Sequence, residues 1–72
     1  MKRQQVSSSH IASVGYENGV LEVEFLSGQI YRGECPEEYY TGLISAESVG
    51  RYFNEIKNAI TLTRVQTNEA SG

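Results

Sequence analysis

The sequence predicts an α+β fold in which a three-stranded antiparallel meander packs on two short helices. Residues 20–25 alternate between apolar and acidic side chains, as in a half-buried strand, and the Asn18-Gly19 dipeptide before them is typical of a hairpin turn. After Pro36, apolar residues recur at helical spacing. Because the chain has 72 residues, we expect one domain at most.

The first predicted strand covers residues 10–16 and the second residues 20–25, and Ser27-Gly28 then forms a turn before a third strand at residues 29–33. The register of the third strand stays open. A two-residue turn would place Ile30 and Arg32 on the face of Phe25, whereas a three-residue turn with a bulge at Gly28 would place Tyr31 there.

Pro36 suits the start of the first helix, where its missing N–H group is not needed. Gly42 weakens this helix and so indicates close packing. Ser48 is the predicted N-cap of a second helix, and residues 60–65 alternate again, which allows a fourth strand at the C-terminus. The domain is predicted at residues 6–65, between flexible termini at 1–5 and 66–72. The predicted core consists of Ile11, Val14, Leu21, Val23, Phe25, Leu43, Ile44, Phe53 and Ile56.

Composition excludes several classes of protein. The net charge is −3, all nine acidic residues are Glu, and there is one Cys and one His. The lone Cys excludes an internal disulfide and a Cys-rich zinc site, and the lack of Asp excludes an EF-hand loop. No apolar run is long enough for a membrane span or a signal peptide. We therefore expect a cytoplasmic protein with no metal and no cofactor.

Candidate catalytic groups are weak in this sequence. Ser9 and His10 are adjacent, and neighbours on a strand point to opposite faces, so we do not expect them to meet. Cys35 lies among glutamates that oppose a thiolate. Glu22 and Glu24 share one strand face, which favours solvated side chains over a carboxylate pair. A hydrolase that uses His10 or Cys35 is the least favoured reading, and we predict no enzymatic activity.

Tyrosine and arginine are the more informative residues. The chain has five tyrosines, four of which lie in its middle part, and Arg32 and Arg51 are their sequence neighbours. Aromatic faces beside guanidinium groups are typical of sites for single-stranded bases or nucleotides. The competing interpretation is that these rings fill the core of a domain without Trp, with their hydroxyls at its rim.

The residues from 6 to 65 resemble the KTSC domain, a family named from the C-terminal segment of some lysyl-tRNA synthetases and also found as stand-alone bacterial and phage proteins. The most specific part of the resemblance is residues 48–54, SVGRYFN. The other matching stretches are VSSSHI at 6–11, VGY at 14–16, LEVEF at 21–25, SG at 27–28, IYR at 30–32 and PE at 36–37, with Tyr40, Leu43 and Ile56.

This chain departs from the family pattern at two positions. The family has a central Tyr-x-Tyr motif, of which Tyr31 matches the first tyrosine while Gly33 replaces the second. The family also often has an aromatic residue after the final helix, where this chain has Ile60. If the second tyrosine were a stacking platform, this chain has lost or substituted it.

The resemblance implies a domain without established catalytic activity, for which attachment to a tRNA synthetase suggests RNA binding. Together with the tyrosines and arginines, it leads us to predict a non-enzymatic module that binds single-stranded RNA or a nucleotide. The acidic composition favours a compact ligand over a duplex. The candidate binding residues are Tyr31, Arg32, Arg51, Tyr52 and Asn54, with stacking assigned to the tyrosines and phosphate contacts to the arginines.

The alternative is a phage or bacterial interaction protein that acts as a homo-oligomer, either as a sponge for a nucleotide signal or as an inhibitor of a host protein. The small size motivates it, because self-association gives a short chain stability and pocket depth.

Overall fold

The computed structural model describes residues 3–65, which form a five-stranded antiparallel sheet with two helices on one face. The strands are β1 (Arg3–Gln5), β2 (Ile11–Glu17), β3 (Val20–Phe25), β4 (Ile30–Glu34) and β5 (Thr63–Arg64). They lie side by side in the order in which they occur in the chain. The helices, α1 (Glu37–Ser45) and α2 (Val49–Ile56), both fall between β4 and β5. The predicted α+β class and meander are confirmed.

The turn between β2 and β3 follows the sequence signal. Asn18 and Gly19 have φ angles of 54° and 81°, and Glu17 pairs directly with Val20 across the two-residue loop. Positive φ at both central residues matches the twist of the flanking strands, which is why Asn-Gly is favoured there.

The turn between β3 and β4 decides the register that the sequence left open. The Phe25 amide donates to the Gln29 carbonyl at 2.8 Å, so the loop has three residues, and its last residue, Gly28, has a φ angle of +100°. Val23 consequently pairs with Tyr31. Directly paired residues share a sheet face, so Tyr31 lies on the helix-covered side and Arg32 on the open side.

The core lies between the sheet and the two helices. Five residues are almost completely buried, and seven of the nine predicted core residues belong to the buried cluster. Phe25 and Ile44 are only half-buried at its margin, whereas Val49 is buried within it. The buried cluster consists of Ile11, Val14, Leu21, Val23, Leu43, Val49, Phe53 and Ile56.

The predicted helix boundaries are confirmed at their N-termini. Pro36 occupies the N-cap position of α1, and the Ser48 side chain caps α2 by accepting a hydrogen bond from the Arg51 amide at 3.3 Å. The apolar stripe of α2, which is buried at Val49, Phe53 and Ile56, turns this helix toward the sheet. Within the described residues, neither helix has the length and apolarity to cross a membrane.

The ends of the domain differ from the prediction. Residues 3–5, expected in a flexible terminus, form β1 and pair with residues 13–15 of β2. The segment RQQ contains no apolar residue to signal a strand, and it becomes one by pairing with the backbone edge of β2. At the other end, the fourth predicted strand is confirmed but is short, at Thr63–Arg64. Residues 1–2 and 66–72 of the predicted flexible termini lie outside the described residues.

Candidate functional site

A cleft with a volume of about 650 Å³ lies between the segment that leads into β2 and helix α2. Its two walls come from residues that are about 40 positions apart in the chain. The lining residues are Ser7, Ser8, Ser9, His10, Ile11, Phe25, Glu47, Ser48, Val49, Gly50, Arg51, Phe53, Asn54 and Lys57.

The wall before β2 is shaped by Ser8. Its hydroxyl oxygen accepts hydrogen bonds from the amides of His10 and Ile11, at 3.2 and 3.3 Å. These local bonds bend the backbone, so that β2 begins at Ile11 and not at His10 as predicted. The bend also brings Ser9 Oγ within 3.0 Å of His10 Nδ1. The expectation that Ser9 and His10 would not meet is therefore wrong, because neither residue lies in a strand.

The opposite wall runs along α2, from its N-cap Ser48 to its C-cap Lys57. Arg51, Asn54 and Lys57 recur at intervals of three along the helix and line the cleft, while Val49 and Phe53 anchor the helix in the core. A Cβ atom at Gly50 would lie 3.5 Å from Ser8 Oγ, so the two walls are in contact at this point.

The cleft carries positive charge in an otherwise acidic chain. Arg51 and Lys57 bring two positive charges against the single negative charge of Glu47, and the exposed His10 adds an imidazole ring. Because the whole chain has a net charge of −3, this lining is an exception to its surroundings. Serine hydroxyls and the Asn54 amide supply neutral hydrogen-bonding groups beside the cations.

Of the five candidate binding residues predicted from the sequence, Arg51 and Asn54 line the cleft, and Tyr31, Arg32 and Tyr52 do not. Tyr31 packs edge-on against Phe25, with ring centroids 5.6 Å apart. Phe25 in turn packs edge-on against Phe53 at 5.5 Å and reaches the cleft itself. The aromatic rings that line the cleft are therefore Phe25 and Phe53, and Tyr31 packs against Phe25 without lining the cleft.

Arg32 lies on the face of the sheet without helices, where it pairs with Glu22. Arg32 Nε donates to Glu22 Oε1 at 2.8 Å, and Arg3 donates to the other oxygen of the same carboxylate. Ser13 Oγ donates to Glu24 Oε1 at 2.8 Å beside them. The prediction of a solvated Glu22 is wrong, because its side chain is only 8% exposed beneath the two arginines.

Tyr52 joins the two helices. A Cβ atom at Gly42 would collide with the ring and hydroxyl of Tyr52, so this tyrosine lies directly over the glycine backbone of α1. The close packing predicted from Gly42 is confirmed. Tyr16 and Tyr40 stack at 5.9 Å on another part of the core margin. Tyr39 is half-buried against the core as well, so packing accounts for all five tyrosines.

The environment of Cys35 opposes a reactive thiolate. The residue is half-buried, and burial raises the pKa of its thiol above the ordinary value. The Tyr16 hydroxyl donates to the Cys35 carbonyl at 2.7 Å, and the pKa of Tyr16 is itself raised by burial and then by the nearby Cys35 and Glu37. In residues 3–65, no group of three His, Cys, Asp or Glu side chains is placed to hold a metal ion.

The prediction missed Ser7, Ser8, Ser48, Lys57 and Phe25 as cleft residues. Spacing gave no signal for them, because the two walls are distant in sequence. The resemblance did mark both walls, since residues 6–11 and 48–54 are among its matching stretches, but it did not show that they face each other.

The two departures from the family pattern, Gly33 and Ile60, are neighbours in space. A Cβ atom at Gly33 would lie 3.4 Å from Ile60 Cδ1 and even nearer to the backbone of Thr61. Residues 60–62 of the same chain therefore fill the space that a side chain at position 33 would occupy.

Comparison with known proteins supports the fold and the family. The chain is 37% identical to a KTSC domain protein from Yersinia pestis whose crystal structure is known, with a TM-score of 0.81 over 90% of this chain and 97% of that one. It is also 48% identical to an uncharacterized protein of Stutzerimonas stutzeri (strain A1501), over 78% of this chain and 83% of that protein. The family model described as KTSC domain matches residues 7–59. The chain therefore belongs to the KTSC domain family.

Proposed function

We propose that this protein is a non-enzymatic module that binds a nucleotide, free or within single-stranded RNA, in the cleft between residues 7–10 and helix α2. The observation that supports this most is the gathering of Arg51, Lys57 and His10 around one cleft in an acidic chain. The proposal keeps Arg51 and Asn54 from the sequence prediction and replaces the tyrosine platform by Phe25.

The cationic side chains are the proposed phosphate contacts. A guanidinium group offers paired donors that match phosphate oxygens, and a lysine adds a point charge. Arg51 lies in the first turn of α2 and Lys57 is the C-cap of the helix, and both line the cleft. The hydroxyls of Ser7 and Ser48 line the same cleft and can donate to the remaining phosphate oxygens.

Phe25 and Asn54 are the proposed base contacts. Phe25 is half-buried and lines the cleft, and its edge-on packing between Tyr31 and Phe53 fixes the ring. A fixed aromatic ring stacks on any base and adds about 1–3 kcal/mol per base in single-strand binding sites. Asn54 offers an amide donor and acceptor to a base edge.

A role without catalysis is favoured by the surroundings of Ser9 and His10. Both side chains are exposed, and no carboxylate in the described part of the chain hydrogen-bonds the imidazole. A serine nucleophile ordinarily needs an oriented base, and orientation comes from such a third group. We therefore assign His10 to ligand contact.

The proposal is tested by titrating isotope-labelled protein with a nucleoside monophosphate, the matching nucleoside and a short single-stranded RNA, while amide resonances are followed by NMR. We expect shifts at residues 7–10 and 48–57 with the nucleotide or the RNA, and much weaker binding of the nucleoside. Raising the salt concentration should lower the affinity, because the phosphate contacts are screened.

Arg51→Ala should weaken binding five-fold or more, which corresponds to about 1 kcal/mol or more. Arg64→Ala is the matched control, since it removes the same charge from exposed strand β5, outside the cleft. Equal affinity for nucleoside and nucleotide, or equal loss in the two arginine variants, would contradict the proposal. Preference for the RNA over the mononucleotide would identify the polymer as the ligand.

A further inference from the structure

The two cations of the cleft lie near opposite ends of its helical wall. Arg51 is the third residue of α2, and Lys57 is the C-cap of the same helix. An α-helix rises about 1.5 Å per residue, so these two residues are separated by about 9 Å along the helix axis. Both side chains are exposed and line the cleft. The cleft therefore offers positive charge at two places along its length.

The part of the wall between these cations is neutral. Phe53 and Asn54 come between Arg51 and Lys57 in the chain, and both line the cleft. Because residues follow the axis of a helix in chain order, Phe53 and Asn54 also lie between the two cations in space. The Phe53 ring packs edge-on against Phe25, which lines the cleft as well. The order along the cleft is therefore a cation, then aromatic and amide groups, then a second cation.

Both cations are available to a ligand. Arg3 and Arg32, by contrast, are paired with Glu22 on the open face of the sheet. Within residues 3–65, no carboxylate forms an ion pair with Arg51 or with Lys57. A phosphate group would therefore not have to displace a carboxylate from either side chain, and the charge-assisted hydrogen bonds that each cation can donate are open to it.

The spacing of the cations distinguishes between two kinds of phosphate-bearing ligand. The phosphates of a nucleoside diphosphate share a bridging oxygen, so they lie side by side and suit cations that converge on one point. A nucleoside with a phosphate on each side of its sugar carries its two charges apart, with the base projecting between them. An internal nucleotide of RNA has this form, and so does a nucleoside bisphosphate. The lining of the cleft, with aromatic groups between two separated cations, matches the second kind.

We propose that the ligand of this cleft is a nucleoside flanked by two phosphates, with one phosphate at Arg51, the other at Lys57 and the base against Phe25. This inference rests on the proposed function and narrows its ligand to one that carries phosphate on both sides of the sugar. The cleft volume of about 650 Å³ is within the usual range for pockets that enclose small ligands. Because an aromatic ring stacks on any base, the phosphate arrangement is the main source of selectivity.

Four derivatives of adenosine test the inference by isothermal titration calorimetry, namely the 5′-monophosphate, the 3′-monophosphate, the 5′-diphosphate and the 3′,5′-bisphosphate. We expect the bisphosphate to bind about ten-fold more tightly than the other three, because it alone reaches both cations. Equal or tighter binding of the diphosphate would overturn the inference and leave the proposed function intact. Failure of all four derivatives and of a tetra-adenylate to bind would contradict the proposed function and the inference with it. If the tetra-adenylate binds more tightly than the bisphosphate, the flanked nucleoside belongs to an RNA strand, and the reverse order identifies a free bisphosphate.

Arg51→Ala and Lys57→Ala separate the two phosphate positions, and both replaced side chains are exposed, so we expect the variants to fold. Each variant should weaken the bisphosphate about five-fold or more, whereas each monophosphate should be weakened by one variant and not by the other. Equal weakening of both monophosphates by both variants would mean that the cations share one phosphate, and would overturn the inference. Arg64→Ala is the matched control outside the cleft, and it should leave every affinity within about two-fold of the parent.

Discussion

Arg32 and Glu22 form an ion pair across β3 and β4, on the sheet face that the helices leave open. Arg32 Nε lies 2.8 Å from Glu22 Oε1, and Arg3 takes the second carboxylate oxygen. The arginine side chain is 53% exposed while the carboxylate beneath it is almost completely covered. The charge of Arg32 is therefore paired with Glu22, on the face of the sheet opposite the core.

We expect Arg32→Ala to lower the free energy of unfolding by about 1 kcal/mol, because a covered carboxylate loses one of its two partners while solvent screens part of the loss. Ligand affinity should stay within about two-fold of the parent, since Arg32 does not line the cleft. Urea unfolding followed by circular dichroism measures the first and titration the second. Arg64→Ala serves again as control for charge, and a large loss of affinity in Arg32→Ala would restore Arg32 to the site.

Gly42→Ala should destabilise the protein although alanine favours helices by about 1 kcal/mol over glycine. The new methyl group would overlap the hydroxyl of Tyr52, and overpacking of this kind costs about 1–3 kcal/mol. The same substitution in a Tyr52→Phe background should cost less, because the nearest atom has gone. A double-mutant cycle measured by thermal unfolding checks this, and identical costs in both backgrounds would refute the contact.

Tyr31→Phe should leave both stability and ligand affinity nearly unchanged, because the ring packs on Phe25 and its hydroxyl is outside the cleft. Tyr31→Ala should lower stability by about 2–4 kcal/mol through the lost ring packing. It should also weaken binding, since Phe25 would lose its support. The two variants are compared by urea unfolding and ligand titration. A strong loss of affinity in Tyr31→Phe would mean that the hydroxyl contacts the ligand.

The stability of the fold should fall in alkaline solution as Cys35 titrates. Burial raises the pKa of this thiol in the folded state, so the folded chain retains a proton that the unfolded chain releases. The contribution of the protonated thiol to the free energy of unfolding is intact below the ordinary thiol pKa of about 8.5. It is lost as the pH rises from there through the pKa of the thiol in the folded state. The free energy of unfolding, measured with urea from neutral to alkaline pH, should decline less in Cys35→Ser than in the parent chain. An equal decline in both proteins would contradict the assignment.

Alkylation offers a second measurement on the same thiol. A raised pKa and partial burial both predict that Cys35 of the folded chain reacts with iodoacetamide more slowly than an unfolded control at the same pH. Faster reaction in the folded state would instead indicate an activated cysteine and would support the hypothesis of a hydrolase that uses Cys35.

Much of the fold could be predicted because its signals are local. The turn at Asn18-Gly19 and the cap at Ser48 each depend on residues within about four positions of one another, and the apolar stripe of α2 depends on a helix of eight residues. Strand β1 could not be predicted in the same way, since its residues are polar and only tertiary contacts order them, namely the open edge of β2 and the ion pair between Arg3 and Glu22. Of the five residues predicted for a binding site, Arg51 and Asn54 line the candidate cleft, and Tyr31, Arg32 and Tyr52 lie elsewhere.

The amino-acid sequence by itself determined the α+β class, the order of the elements from β2 onward, most of the core and, through family resemblance, the two segments that wall the cleft. The tertiary structure decided that these segments face each other, that Tyr31 turns toward the core, and that Gly33 receives the chain after α2. The reason is physical. Turns, caps and alternation follow from short-range sterics and hydrogen bonds, whereas a cleft is made where segments distant in sequence are brought together by the burial of a common core.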